Sequence, residues 1–161
     1  MLRNILCALV LTSASATVVA AQSSGPKAPY KATEAEVQAV RRAAMDYLEG
    51  FYEGDTTKLV RSVSPSVVKY GYFIKRGESN YSGEAMPYAE FMSYANSVKA
   101  NNRQAPASAP KEAVVYEVLD QMAAAKVTAW WGVDYLHLAK EDGRWMIKHV
   151  IWQTPPKITP N

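Results

Sequence analysis

The chain has 161 residues, 18 Lys and Arg against 15 Asp and Glu, and a net charge of +3. That near balance, with no basic run, argues against nucleic acid as a partner, because such binding needs a concentrated positive face. Cys7 is the only cysteine, which rules out an intrachain disulfide and, once a leader containing it is removed, any thiolate metal ligand or cysteine nucleophile.

Residues 1–21 follow the pattern of a secretory signal. Arg3 gives a positive start, Ile5 to Leu11 an apolar stretch, and Val19-Ala20-Ala21 small side chains before Gln22. The apolar run falls short of the roughly 20 residues needed to span a bilayer. We expect an exported protein beginning at or near Gln22, periplasmic or secreted, with no stable membrane anchor and a net charge one lower, +2, after Arg3 is lost. Its 140 residues are enough for one domain with a real core. Four Trp, ten Tyr and three Phe all fall after the signal.

Residues 22–32 read as a flexible tether, polar and carrying two prolines. The domain is expected over 33–156, with a tail at 157–161. Thr33 and Glu36 form a capping box, and Val37, Val40, Ala44, Tyr47, Leu48 and Phe51 follow as one apolar helical stripe. Asp55 can cap a short second helix carrying Leu59, Val60 and Val63, which Pro65 is expected to close. Val67–Phe73 reads as a strand and 77–83 as a polar loop. Pro87 suits the first turn of a third helix with Tyr88, Phe91, Met92, Ala95 and Val98 on its apolar face. Residues 100–112 read as an exposed connection. Strands are expected at Val114–Leu119, Val127–Ala139 and Trp145–Gln153. Helices first and an antiparallel meander afterwards argue for an α+β fold.

The last hairpin holds the most informative pattern. A two-residue turn at Glu141-Asp142 or Asp142-Gly143 puts Leu136 and Leu138 on one face with Trp145, Ile147 and Ile151. Strict alternation then adds Trp130, Gly132, Asp134 and His149 to that inner face, and sends His137 outward. A buried carboxylate must be paired or protonated, so Asp134 and His149 form a satisfied core pair, or Asp134 bonds to backbone, or the two belong to a ligand cavity.

Other chemistries find little support in the residues. There is no Gly-x-Ser-x-Gly motif and no Gly-rich phosphate loop. Two histidines, one facing out, make a poor metal site, so neither metal nor cofactor is expected. Asn80-Tyr81-Ser82 matches a glycosylation pattern that often occurs by accident.

The stretch Tyr47-Leu48-Glu49-Gly50-Phe51-Tyr52-Glu53-Gly54-Asp55, with Leu59, Pro65 and the run from Val133 to Ile147, resembles the nuclear transport factor 2-like superfamily. Within it, the chain is most similar to the family named "putative lumazine-binding". The resemblance covers about residues 34–153. It implies a cystatin-like cone, in which a curved antiparallel sheet wraps three helices around an internal cavity. Comparison with ketosteroid isomerase, a member of that superfamily, implies that Tyr47 and Asp134 match its oxyanion-hole tyrosine and protonated aspartate. The position of its carboxylate base falls on Gly71.

These features support three functional expectations. The leading one is a non-catalytic domain binding a small apolar or aromatic molecule in a cavity lined by Tyr47, Phe51, Trp130, Asp134, Trp145, Ile147 and His149. The first alternative is an isomerase or dehydratase using Tyr47 and Asp134, with His149 as the replacement base. The second is a homodimer through the open sheet face, where alternation places Trp131, Val133, Tyr135, Met146, Val150 and Trp152.

Overall fold

A computed structural model describes residues 29–156. The export signal, residues 22–28 of the tether and the tail at 157–161 lie outside the described residues.

Helix α1 (Glu34–Glu53) starts at the expected box: Thr33 Oγ1 accepts from the Glu36 backbone N–H, and Glu36 accepts from the Thr33 N–H. Its stripe is buried from Val40 through Ala44, Tyr47 and Leu48 to Phe51, and Gly54 caps its end. Asp55 caps α2 (Thr56–Ser62) by accepting from the Thr57 N–H at 2.8 Å. Asp46 and Glu49 of α1 tie the two helices together. Asp46 accepts twice from Arg61 of α2, and Glu49 accepts from Lys58 of α2 as well as from Lys111 and Arg42. Burial alone would raise the Glu49 carboxyl, but these three cations outweigh it and hold it at about 2.

The sheet has six strands in the order β2-β1-β6-β5-β4-β3, curved and open. They are β1 (Val63–Phe73), β2 (Ser82–Ala85), β3 (Glu112–Val118), β4 (Met122–Ala129), β5 (Gly132–Glu141) and β6 (Arg144–Gln153). Helix α3 (Tyr88–Ala100) lies between β2 and β3 in the chain and buries Phe91, Ala95 and Val98. Helix α1 packs against β3, β4 and β6, so the core forms between that helix and one face of the sheet. The α+β reading therefore holds.

Four details differ from the expectation. Strand β1 begins at Val63, directly after α2, so Pro65 does not close a helix. It sits exposed in the strand where pairing with β6 shifts register between Val63 and Val68, and such irregular positions are where a strand tolerates proline. The sheet is not wholly antiparallel, because β1 runs parallel to β6. The long chain between them supplies the crossover that a parallel pair requires. The loop expected at 77–83 is present through residue 81 but ends two residues early, at β2, an edge strand whose sequence Ser-Gly-Glu-Ala has no hydrophobic alternation to betray it.

Finally, the run 127–139 is not one strand but a hairpin that turns at Trp130-Trp131. Gly132 makes that turn possible. Its φ is +135°, and a Cβ there would stand 1.9 Å from the Gln153 carbonyl oxygen, so a side chain has neither the conformation nor the room.

Candidate functional site

The site is set by two turns and one bulge. The β5–β6 hairpin closes around Asp142-Gly143, both at positive φ, with Glu141 opposite Arg144. This is one of the two expected turns, and Asp-Gly is the sequence such a tight turn prefers. Leu138 pairs with Ile147, but His137 pairs with His149, so Lys148 is an extra residue that shifts the strand by one. A bulge of this kind reverses which side chains face inward beyond it. Trp145 and Ile147 are buried before it, and Val150 and half-buried Trp152 face inward after it.

That bulge corrects the expected face. His149 and Ile151 are exposed on the outer side, and His149 meets the His137 ring there, with centroids 6.1 Å apart. His149 cannot serve as the base of an isomerase acting inside the fold. Conversely, Trp131, Val150 and Trp152, expected on the outer face, turn inward. Met146 is buried too, which leaves Val133 and Tyr135 from the expected patch on the outside.

The inner carboxylate is where the alternation put it. Asp134 is fully buried, with 0% exposure, and both oxygens are occupied. Oδ2 accepts a short hydrogen bond from the Tyr47 hydroxyl of α1, and Oδ1 accepts from Trp131 Nε1 at 2.7 Å. The two groups that the resemblance matched to an oxyanion hole thus bond to each other rather than converging on a shared acceptor. Burial, followed by the Asp134 charge, pushes the Tyr47 phenol well above its ordinary range and keeps its proton in place.

The group missed from the sequence is Lys69. On β1 it occupies an inward position between Val67 and Gly71, and only 7% of it is exposed. Its Nζ donates to the Tyr47 oxygen at 2.7 Å and stands 3.8 Å from Asp134 Oδ2. Four rings enclose it, those of Phe51, Phe91, Tyr47 and Trp152, at 5.0–5.6 Å from their centroids. Burial pushes this ammonium below its ordinary value, outweighing the pull of Asp134. Alternation along β1 could have revealed Lys69 as an inward cation, since Val67 and Gly71 flank it at the same parity.

Lys69 forms part of the wall of an open pocket of about 550 Å³. Phe51 and Tyr94 come from the helices, Phe73 from β1, Ile74 and Met86 from the segments beside β1 and β2, Trp130 and Trp131 from the β4–β5 turn, and Trp152, Thr154 and Pro155 from the end of the sheet. Phe73 and Trp152 lie parallel, 6.1 Å apart. Of the residues expected to line a cavity, Phe51 and Trp130 do so, although Trp130 is 54% exposed at the rim. Tyr47 and Asp134 lie behind the wall and reach it through Lys69. Trp145 and Ile147 are buried in the core without lining it. No carboxylate or histidine is among the lining residues. Gly71, the position that the isomerase resemblance matched to a base, has no room for a side chain: a Cβ there would fall 1.7 Å from the Trp152 indole nitrogen. Among the described residues no group of three or more His, Cys, Asp or Glu could hold a metal ion.

This arrangement predicts a strongly coupled pair. Asp134→Leu strands the buried Lys69 charge and should destabilise the fold by about 3–5 kcal/mol. Adding Lys69→Met removes that stranded charge, so the double variant should recover much of the loss in chemical denaturation. Losses that simply add would show that the two groups do not interact.

Comparison with known proteins agrees with this geometry. No curated protein matches the chain. Among solved structures, an NTF2-like protein of unknown function from Shewanella baltica OS155 has 18% identity and a TM-score of 0.57, covering 79% of this chain and 100% of its own. An NTF2-like protein of unknown function from Silicibacter pomeroyi DSS-3 has 15% identity and a TM-score of 0.57, covering 77% and 99%. A domain of unknown function with a cystatin-like fold from Nostoc punctiforme PCC 73102 has 12% identity and a TM-score of 0.54, covering 79% and 82%. These likenesses establish the fold. Residues 35–153 match the family described as "Putative lumazine-binding", and the chain belongs to that family within the NTF2-like superfamily.

Proposed function

We propose that this domain binds a small, planar, largely apolar molecule that carries a hydrogen-bond acceptor. The observation that carries the reading is the composition of the pocket wall. Six aromatic side chains line it, and Lys69 is the one charged group among the lining residues. Apolar walls with a few placed polar groups are how ligand sites are usually built. Nζ has three N–H bonds, and one hydrogen bond is formed, to Tyr47. A carbonyl, enolate or carboxylate oxygen entering the pocket would take another. The family's name points toward a planar heterocycle of this chemistry. Placement outside the cytoplasm rests on residues 1–21, and an intact Met1 on the exported chain would count against it.

Titration calorimetry with a panel of pterins, flavins, steroids and aromatic polyketides tests the binding reading. At least one class should bind, and Lys69→Gln should weaken it by roughly tenfold or more, the equivalent of a charge-assisted hydrogen bond. If no class binds, the reading fails.

A second reading concerns the outer face. Val68, Tyr70, Tyr72, Tyr116, Tyr135 and Ile151 are all large, exposed and on that side of the sheet. Tyr116 and Tyr135 stack at 6.4 Å, and Tyr70 lies opposite Ile151, which lies opposite Tyr135. Large exposed apolar patches mark contact surfaces, and we infer a symmetric homodimer through this one. Sedimentation should show a dimer at micromolar concentration and a folded monomer for Ile151→Glu. A dimer indifferent to that change would place the interface elsewhere.

A further inference from the structure

Lys69 has the setting of a reactive amine as well as that of a hydrogen-bond donor. Lys69 lines an apolar pocket, and its Nζ donates to Tyr47 while the Asp134 carboxylate stands 3.8 Å away, beyond hydrogen-bond length. Behind it runs a two-bond relay. Nζ donates to the Tyr47 oxygen, and the Tyr47 hydroxyl donates to Asp134. Asp134 is fixed from its other side by Trp131. Burial lowers the cost of taking a proton from this ammonium, and a lysine so desolvated is suited to attack a carbonyl.

We propose that Lys69 captures a planar aromatic or conjugated aldehyde or ketone in the pocket as a protonated imine, with Asp134 as its counter-ion. The step balances without any further reactant. A proton leaves Nζ for the Tyr47 oxygen as the Tyr47 proton passes to Asp134, leaving a neutral amine and a neutral acid. The nitrogen lone pair forms a bond to the carbonyl carbon, and the carbonyl oxygen gains a proton as the nitrogen loses one, giving a carbinolamine. The proton stored on Asp134 returns by the same relay to the carbinolamine hydroxyl. That group leaves as water while the nitrogen lone pair forms the C=N bond. One ammonium and one carbonyl become one protonated imine and one water. The positive charge begins and ends on the same nitrogen, inside the same four rings and 3.8 Å from the same carboxylate. The rings and the carboxylate that surround the ammonium therefore also surround the product and shield it from water, whereas an imine in open water hydrolyses readily.

This inference rests on the binding reading above, and the test separates the two. The wild-type protein is incubated with 2-naphthaldehyde and sodium cyanoborohydride, and the reduced adduct is mapped by peptide mass spectrometry. Binding of the aldehyde without reductant is measured by tryptophan fluorescence. The expected result is an adduct on Lys69 at least tenfold faster than on any exposed lysine. That selectivity should vanish in urea, and the rate should fall in Tyr47→Phe. Lys69→Arg should bind the aldehyde without forming the adduct. Should Lys69→Arg not fold, the site map of the wild type decides alone. Binding with labelling spread over surface lysines and Lys69 unmodified would overturn the imine and leave the binding reading standing. Absence of both binding and Lys69 labelling would overturn both.

Discussion

One buried charge organises this molecule: the ammonium of Lys69, enclosed by four aromatic rings and joined through Tyr47 to Asp134. An ammonium taken out of water costs several kcal/mol unless it is paired. The fold meets that cost from three separate elements. Helix α1 supplies the tyrosine, β5 the carboxylate and β1 the lysine. Each therefore fixes the position of the other two. The helix cannot rotate, nor either strand slip by one residue, without breaking the chain of bonds and leaving a charge stranded. The rings that complete the enclosure include Phe51 and Trp152 of the pocket's apolar wall, so stability and ligand chemistry are built from shared parts.

The bulge at Lys148 makes this sharing possible. Without it, His149 and Ile151 would face inward and Trp152 outward, and the indole would be absent from both the pocket and the surroundings of Lys69. The extra residue does not hang loose. Its amine donates to Ser64, Ser66 and Glu141, binding the bulge to β1 and to the hairpin end of β5. The reversal also places Trp152 over Gly71, where a larger residue could not stand. The missing isomerase base and the inward indole are thus two views of one packing choice.

Much of the fold is legible in the sequence, and the part that is not has physical causes. The α1 capping box and stripe, the Asp55 cap, the third helix and the parity of Asp134 all obey local rules that tertiary packing does not override. The Tyr47–Asp134 contact implied by family resemblance is present, though as a mutual hydrogen bond. The position of His149 is hidden because alternation assumes one residue opposite one residue, and a bulge has no signature strong enough to be seen in a single sequence. Trp130 reads as a strand residue because Val127–Ala139 alternates through its turn, where Gly132 is the one available sign. Lys69 is easily passed over because a search for an isomerase base asks only for a carboxylate around Gly71. Its own parity, matched to Val67, already puts a cation inside.

The most direct measurement is a titration of Lys69 by carbon-detected NMR, following its Cε with Lys69→Arg to assign the signal. A lysine ordinarily titrates near 10.5. Buried among rings and hydrogen-bonded to Tyr47, Lys69 should lose its proton at a pH clearly below that of the exposed lysines in the same protein. Since a lowered value in the folded state means that the unfolded chain binds the proton more tightly, stability should rise as pH climbs from the folded toward the unfolded value. A Lys69 signal that titrates with the surface lysines, or above them, would contradict the account, because it would mean that the amine is solvated or fully paired.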